Sequence, residues 1–169
     1  MAAIYLGLGS NIDRRSNFIV GIEALREALD ELVPSAVYES AAVGFDGENF
    51  WNMVVGAQTN LALAELISAL KAIEDDCGRD RSGPKFGSRT LDIDILSYDG
   101  LIGEHAGIRL PREETFEQAY VLKPLAEIAP DLVLPGESLS CRVLWSQFDQ
   151  AAQPLKMVDP NWPQGLFGA

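Results

Sequence analysis

Asp92 and Asp94 are separated by one apolar residue in the run Leu91-Asp92-Ile93-Asp94-Ile95. This alternation predicts a β-strand that presents both carboxylates on one face and Leu91, Ile93 and Ile95 on the other. Two carboxylates on an open face are hard oxygen ligands suited to magnesium. Immediately upstream, Arg79, Arg81, Lys85 and Arg89 lie in a segment punctuated by Gly78, Gly83 and Gly87. Such cations could hold the oxygens of a polyphosphate. Acids, cations and loop together point to phosphoryl or pyrophosphoryl transfer. A D-x-D strand is also a common solvated edge, and a basic loop is often only a soluble one. What favours chemistry is that the two features adjoin.

Composition narrows the classes. The chain has 13 basic and 25 acidic residues among 169, a net charge of −12. Nucleic acids and anionic membranes require a basic footprint, so neither is an expected partner. Four of the 13 cations nevertheless fall between positions 79 and 89, which singles that segment out. Cys77 and Cys141 are too few for a disulfide framework or a zinc site. His105 is the only histidine. It is expected in an exposed loop, and its isolation argues against histidine triads and multi-histidine metal sites. No apolar run is long enough to span a bilayer. The start, Met1-Ala2-Ala3-Ile4-Tyr5, lacks the basic and apolar regions of a secretory signal, so a cytoplasmic protein is expected.

The elements that must position these residues follow from periodicity. Residues 3–8 read as a strand ending in the turn Gly9-Ser10-Asn11. Residues 14–30 read as a helix with Phe18, Ile22, Leu25 and Leu29 at helical spacing, capped by Asn11 or Asp13. Residues 32–40 and 49–58 read as a second and a third strand. In the third, Trp51, Met53 and Val55 share one face and Phe50, Asn52 and Val54 the other. An asparagine beside an aromatic could bind a flat heterocycle by stacking and amide hydrogen bonds; a plain half-exposed sheet face is the simpler reading. Thr59 or Asn60 is expected to cap a helix over 61–77, with Leu63, Leu66, Leu70 and Ile73 inward and Gly78 as its stop. The strand bearing Asp92 and Asp94 then turns at Tyr98-Asp99-Gly100.

This order predicts an α+β, ferredoxin-like (split βαβ) domain. Its antiparallel sheet would carry helices on one face and leave the other free for a site. Extra C-terminal helices are expected from Phe116 to Ile128, interrupted at Pro124, and around Val143, Leu144 and Phe148. The whole of 1–169 reads as a single domain, with 154–169 as an extended or disordered tail.

Five motifs in one order resemble those of the 6-hydroxymethyl-7,8-dihydropterin pyrophosphokinase family. They are Tyr5-Leu6-Gly7-Leu8-Gly9-Ser10-Asn11, Phe50-Trp51-Asn52, Ile73-Glu74 with Gly78-Arg79-Asp80-Arg81, Arg89-Thr90-Leu91-Asp92-Ile93-Asp94, and Pro124-Leu125-Ala126-Glu127-Ile128-Ala129-Pro130. The resemblance covers roughly residues 3–135, far more than a short-motif match. It implies an ATP-dependent transferase of folate biosynthesis that uses two magnesium ions. Such an enzyme moves the β,γ-pyrophosphoryl unit of ATP to a reduced pterin and releases AMP.

By the same resemblance, Asp92 and Asp94 would bind the metals, and Arg79 and Arg89 would be catalytic. Lys71, Glu74, Arg81, Lys85, Ile95, Arg109 and Arg112 would bind ATP. Ser40, Val43, Phe50, Asn52, Phe86 and Tyr120 would line the pterin pocket. Its partners would be these small molecules alone, and a monomer is expected. The chain departs from the family pattern at Phe86 (usually Trp), Ser88 (usually Pro), Arg112 (usually His), Gln118 (usually Arg) and Ser40-Ala41-Ala42 (usually Thr-Pro-Pro). Gln118 cannot supply the missing charge, so weaker ATP binding or slower turnover is expected. A non-catalytic or substrate-altered pterin- or nucleotide-binding paralogue is the alternative. A purely structural ferredoxin-like module would leave the acids and arginines without a purpose.

Overall fold

A computed structural model describes residues 1–41, 48–78 and 90–158. The expected roles of Val43, Arg79, Arg81, Lys85, Phe86 and Arg89 fall outside those residues. The first strand, β1 (Ala2–Ser10), is followed by helix α1 (Arg14–Ala28) and strands β2 (Asp30–Pro34), β3 (Tyr38–Ser40) and β4 (Phe50–Thr59). Helix α2 (Leu63–Asp76) leads to β5 (Asp92–Tyr98), then to a hairpin of β6 (Gly103–His105) and β7 (Ile108–Leu110). Helices α3 (Glu114–Glu117), α4 (Ala119–Ile128) and α5 (Cys141–Gln147) precede a short strand β8 (Lys156–Met157).

The main sheet runs β5-β1-β4-β3-β8, with β2 pairing farther along β4; every pair in it is antiparallel. The expected strand over 32–40 is therefore two strands. The reason is local. Pro34 has no N–H to give a ladder, and Ser35 takes both ladder roles at the break. Its N–H donates to Val54 O at 2.9 Å, and its Oγ accepts from Val54 N at 2.9 Å.

Period-two alternation builds the main core. Ile4, Leu6 and Leu8 of β1, Met53, Val55 and Ala57 of β4, and Ile93 and Ile95 of β5 all point to the face covered by α1 and α2. Phe18, Ile22 and Leu25 from α1 and Leu66, Leu70 and Ile73 from α2 close over them. Caps differ from expectation. Asp13 occupies the α1 N-cap position without a side-chain bond. At α2 the cap position is Ala62, whose N–H donates to Glu65 Oε1 at 3.0 Å, while Thr59 Oγ1 accepts from Leu61 N. Gly78, at φ 80°, follows the C-cap Cys77, the left-handed geometry a helix stop favours.

The opposite sheet face is not wholly free. Val54 and Leu96 are apolar on that side and pack with Val121, Leu125 and Ala129 of the α4 segment. Leu96 reaches it by the alternation that also places Asp92 and Asp94 there, and a bulge lies at this point, since Tyr5 pairs with Ser97 but Leu6 pairs with Ile95. Pro124 lies inside α4 rather than breaking it; the helical run breaks at Gln118, whose backbone is extended at φ −117°, ψ 124°. Burial of Val121, Leu122 and Leu125 outweighs the helix penalty of an internal proline, about 3 kcal/mol. His105 closes β6 rather than sitting in a loop, and its Nε2 lies 2.9 Å from Ile102 O. Residues 156–157 of the C-terminal arm pair with β3.

Candidate active site

The acids sit where the strand register makes room. Gly9 of β1 pairs with Asp92 on one side and Asn52 on the other. One row along, Gly7 pairs with Asp94 and Val54. Two glycines thus floor a trough between the β5 carboxylates and the Asn52 amide. A Cβ on Gly9 would stand 3.6 Å from Asn52 Oδ1 and 3.8 Å from Phe50 Cδ1, so the space above Gly9 adjoins both expected pterin contacts.

Asn52 is 5% exposed, and its orientation follows from its neighbours. Nδ2 lies 2.7 Å from Ser40 Oγ, 3.3 Å from Tyr38 O and 3.5 Å from Phe50 O. Two of these are carbonyls, which only accept, so the amide nitrogen must face them. Oδ1 is left toward Gly9 as an acceptor, matched to a ligand that presents N–H groups.

On the acid side, a pocket of about 230 Å³ is lined by Lys71, Glu74, Asp92, Asp94, Ile95, Arg109 and Arg112, with Ile67, Leu70, Ile93 and Ile108. Glu74, buried in α2, accepts the N–H of Ile93 at 2.8 Å. It thereby ties α2 to the sheet-edge strand β5 between the two aspartates. Burial, then repulsion from Asp92, pushes the Asp94 carboxyl up to about 7, against the pull of Arg112.

Arg112 follows Pro111, and its N–H donates to Leu96 O at 2.9 Å. Its Nη2 lies 3.6 Å from Asp94 Oδ1 and 3.2 Å from Glu114 Oε1. Its Nε is buried without a hydrogen-bond acceptor among the described residues. Tyr120 donates its hydroxyl to Glu114 Oε2 at 3.4 Å. Burial and the nearby carboxylates of Glu114 and Asp94 raise its pKa above the usual phenol range, so it remains an O–H donor. Arg109 is more exposed and lies 3.6 Å from Glu113.

These residues fit a magnesium site of the substrate-shared kind. Magnesium is commonly held by one or two carboxylates, with substrate phosphates and water completing its shell. Asp92 and Asp94 supply two carboxylates in a pocket that also offers Arg112 to phosphate. Among the described residues there is no group of three or more His, Cys, Asp and Glu side chains that could hold an ion unaided.

The fold brings Asp92, Asp94, Lys71, Glu74, Ile95, Arg109 and Arg112 to one pocket, and Asn52, Ser40 and Phe50 to the adjoining trough. Sequence reasoning did not single out Gly9 as floor, Glu114 as the bridge between Arg112 and Tyr120, or Glu127, whose carboxylate accepts the Tyr38 hydroxyl. Arg14 was also missed. It bonds Glu39 Oε1 at 3.0 Å and Asn49 O at 2.8 Å, and its guanidinium lies over the Trp51 ring. Asn11 likewise donates to Glu48 O at 3.2 Å. The signal for Glu127 was present: a lone acid within the apolar run Pro124–Ala129.

Fold and site together define a ferredoxin-like α+β protein whose sheet edge carries an acid pair in one pocket with Lys71, Arg109 and Arg112. A family model for 7,8-dihydro-6-hydroxymethylpterin-pyrophosphokinase matches residues 5–130, and the chain belongs to that family. It is 39% identical over 137 residues to the 2-amino-4-hydroxy-6-hydroxymethyldihydropteridine pyrophosphokinase of Aquifex aeolicus, covering 80% of this chain and 85% of that protein. The Pseudomonas aeruginosa protein of the same description is 38% identical over 137 residues, covering 78% and 83%.

A crystal structure of an HPPK-DHPS in complex with substrates aligns with a TM-score of 0.68 at 14% identity, over 89% of this chain and 44% of that one. The wild-type Plasmodium falciparum HPPK-DHPS with pterin and p-hydroxybenzoate aligns with a TM-score of 0.67 at 15% identity, over 86% and 43%. The chain therefore spans less than half of those solved chains, and they bear on the fold alone. Among the described residues, no helix is long and apolar enough to cross a membrane.

Proposed function

We propose that this protein transfers the β,γ-pyrophosphoryl unit of ATP to the hydroxymethyl oxygen of 6-hydroxymethyl-7,8-dihydropterin, giving the pterin diphosphate and AMP for folate biosynthesis. The observation that carries this reading is the pairing of Asp92 and Asn52 with opposite sides of Gly9. It sets a carboxylate site beside a heterocycle site on one sheet face, separated by roughly 10 Å, or two strand spacings.

In this reading Asn52 Oδ1 receives N–H groups of the pterin, Ser40 holds the Asn52 amide, and Phe50 and Tyr120 flank the ring. Val43 and Phe86 complete the pocket. Lys71, Arg109, Arg112, Arg81 and Lys85 bind the triphosphate, with Glu74 and Ile95 shaping its pocket. Asp92 and Asp94 would hold two magnesium ions, which would supply positive charge to the phosphate oxygens when bound. The hydroxymethyl oxygen attacks the β-phosphorus and gives up its proton to solvent, the bond from that phosphorus to the α,β-bridging oxygen breaks, and its electron pair leaves on AMP. Arg79 and Arg89 offset charge on the transferring group. The protein's contribution is chiefly positioning and electrostatics. Small polar substrates fit a cytoplasmic enzyme acting as a monomer.

The test is incubation with ATP, magnesium and 6-hydroxymethyl-7,8-dihydropterin, with detection of AMP and the pterin diphosphate. Formation of both, lost in Asp94→Ala, is expected. Pterin binding without AMP would show that the pocket persists while the chemistry has changed.

A further inference from the structure

We infer that Glu127, more than 70 residues from Asn52 in sequence, is a positioning residue for pterin recognition, acting through Tyr38 on the Asn52 amide. This rests on the pterin reading of the trough.

Glu127 lies on the outer side of α4, yet both its carboxylate oxygens turn toward the segment leading into β3. Oε2 accepts the Ala36 N–H at 2.8 Å, and Oε1 accepts the Tyr38 hydroxyl at 2.5 Å. Ala36 precedes β3 and Tyr38 opens it. Ala36 lies between the pairings of β2 and β3 with β4, so its N–H needs a partner other than a ladder carbonyl, and the buried Tyr38 hydroxyl needs one too. Tyr38 is 3% exposed, and Lys123 Nζ lies 5.0 Å from its ring centroid, one turn of α4 from Glu127. A helix on the sheet face thus grips the start of β3 at two points.

The consequence passes along β3 to the ligand. Tyr38 pairs with Asn52 and Ser40 with Phe50. The Tyr38 carbonyl and Ser40 Oγ are two of the acceptors that hold Asn52 Nδ2. They fix the amide with Oδ1 toward Gly9. A shift of β3 would release Nδ2, let the amide turn, and present a donor where the trough now presents an acceptor. Loss of pterin affinity would follow, because a buried donor facing a ligand donor is left unsatisfied. The phosphate pocket on β5 lies two strands away and makes none of these contacts.

The experiment compares Glu127→Ala, Tyr38→Phe and the conservative Glu127→Gln. Tyr38→Phe keeps the ring and serves if Glu127→Ala does not fold. Isothermal titration with 6-hydroxymethyl-7,8-dihydropterin, and separately with magnesium α,β-methylene-ATP, gives two affinities. The side-chain amide signals of Asn52, assigned by their absence in Asn52→Ala, give a readout that needs no ligand.

Glu127→Ala and Tyr38→Phe are expected to weaken pterin binding about tenfold, as freed polar side chains at a binding surface do. Nucleotide affinity should stay within about twofold, a change too small to count as a lost contact. The Asn52 amide should shift and exchange faster, and Glu127→Gln should restore part of both. Unchanged Asn52 signals, or equal losses for both ligands, would overturn the inference. Were the unaltered protein to bind no pterin, the proposed function would fall, and the Asn52 signals alone would decide the role of Glu127.

Discussion

Asp92 and Asn52 are both register partners of Gly9, one on each side, and Gly9 itself puts no side chain between them. The acid proposed to hold metal and the amide proposed to hold the pterin are thereby set across three adjacent strands of one sheet. A rigid sheet is a better spacer than a loop for two substrates that must meet at a fixed distance.

Filling that floor should separate binding from folding. A Cβ at Gly9 makes ordinary contacts, the nearest being 3.6 Å to Asn52 Oδ1, so Gly9→Ala should fold normally. Gly9→Val adds two methyl groups to the trough and, by analogy with overpacking costs of about 1–3 kcal/mol, should lower kcat/KM for the pterin about 10- to 100-fold. Thermal melts beside pterin titrations check this. A large loss of melting temperature with unchanged pterin affinity would refute the floor role.

The acid pair trades stability for function. Asp94 ionises against burial and against Asp92, so Asp94→Asn should raise the melting temperature of the metal-free protein while abolishing AMP formation. Asp92→Asn should also abolish AMP formation. Calorimetry without metal and AMP release with metal measure the two effects. A variant that loses activity because it unfolds would contradict this account.

Asp94 also predicts a pH dependence. Its folded pKa is raised to about 7, against about 3.9 in an unfolded chain. Between these values the folded state binds more protons than the unfolded state, so stability falls as pH rises from about 4 to about 7 and levels off above. Magnesium requires the carboxylate, so its affinity should rise with pH over the upper part of the same window, with proton release near pH 6 to 7. Asp94→Asn should flatten this contribution to the melting profile. A wild-type curve with the opposite slope, unaltered by Asp94→Asn, would show that Asp94 titrates normally.

Local periodicity revealed the strands of Ile4, Met53 and Ile93 and the helices of Phe18 and Leu66, because each apolar set repeats at its element's own period. The acid pair and Asn52 were legible for the same reason: alternation alone tells which face a strand residue occupies. Their relation through Gly9 was not legible, since it depends on register among three strands. The break at Ser35 arises from a side chain replacing a ladder bond, which no propensity scale records. The covering of the second face depends on Val121 and Leu125 docking against Val54 and Leu96, a long-range contact that no local pattern announces. Pro124 was misread as a helix break because packing of Val121 and Leu125 overrides propensity. The contacts of Glu127 span 89 and 91 residues, so they emerge only when the helix docks.

Arg112 should act both as a hydrogen-bond donor to phosphate and as a resident counter-ion. It lies 3.6 Å from Asp94, with Nε buried and lacking an acceptor among the described residues. In Arg112→Met, nucleotide binding loses charge-assisted hydrogen bonds worth about 1.5–3 kcal/mol each, a weakening of roughly 10- to 150-fold. Bare magnesium should move the other way. The guanidinium no longer offsets the Asp94 charge, so the acid pair should attract a divalent cation more strongly once both carboxylates are ionised. Removing Arg112 also removes an influence that lowers the Asp94 pKa, so the comparison belongs at about pH 8.5, above the range in which that carboxyl titrates. Titration of manganese or magnesium alone, then of the metal–nucleotide complex, checks both signs on the same variant. Weaker binding of both would mean that Arg112 supports the fold of the pocket rather than its charge balance. Tighter metal with weaker nucleotide would show that the arginine standing where the family usually has histidine serves as a cation on both sides of the reaction.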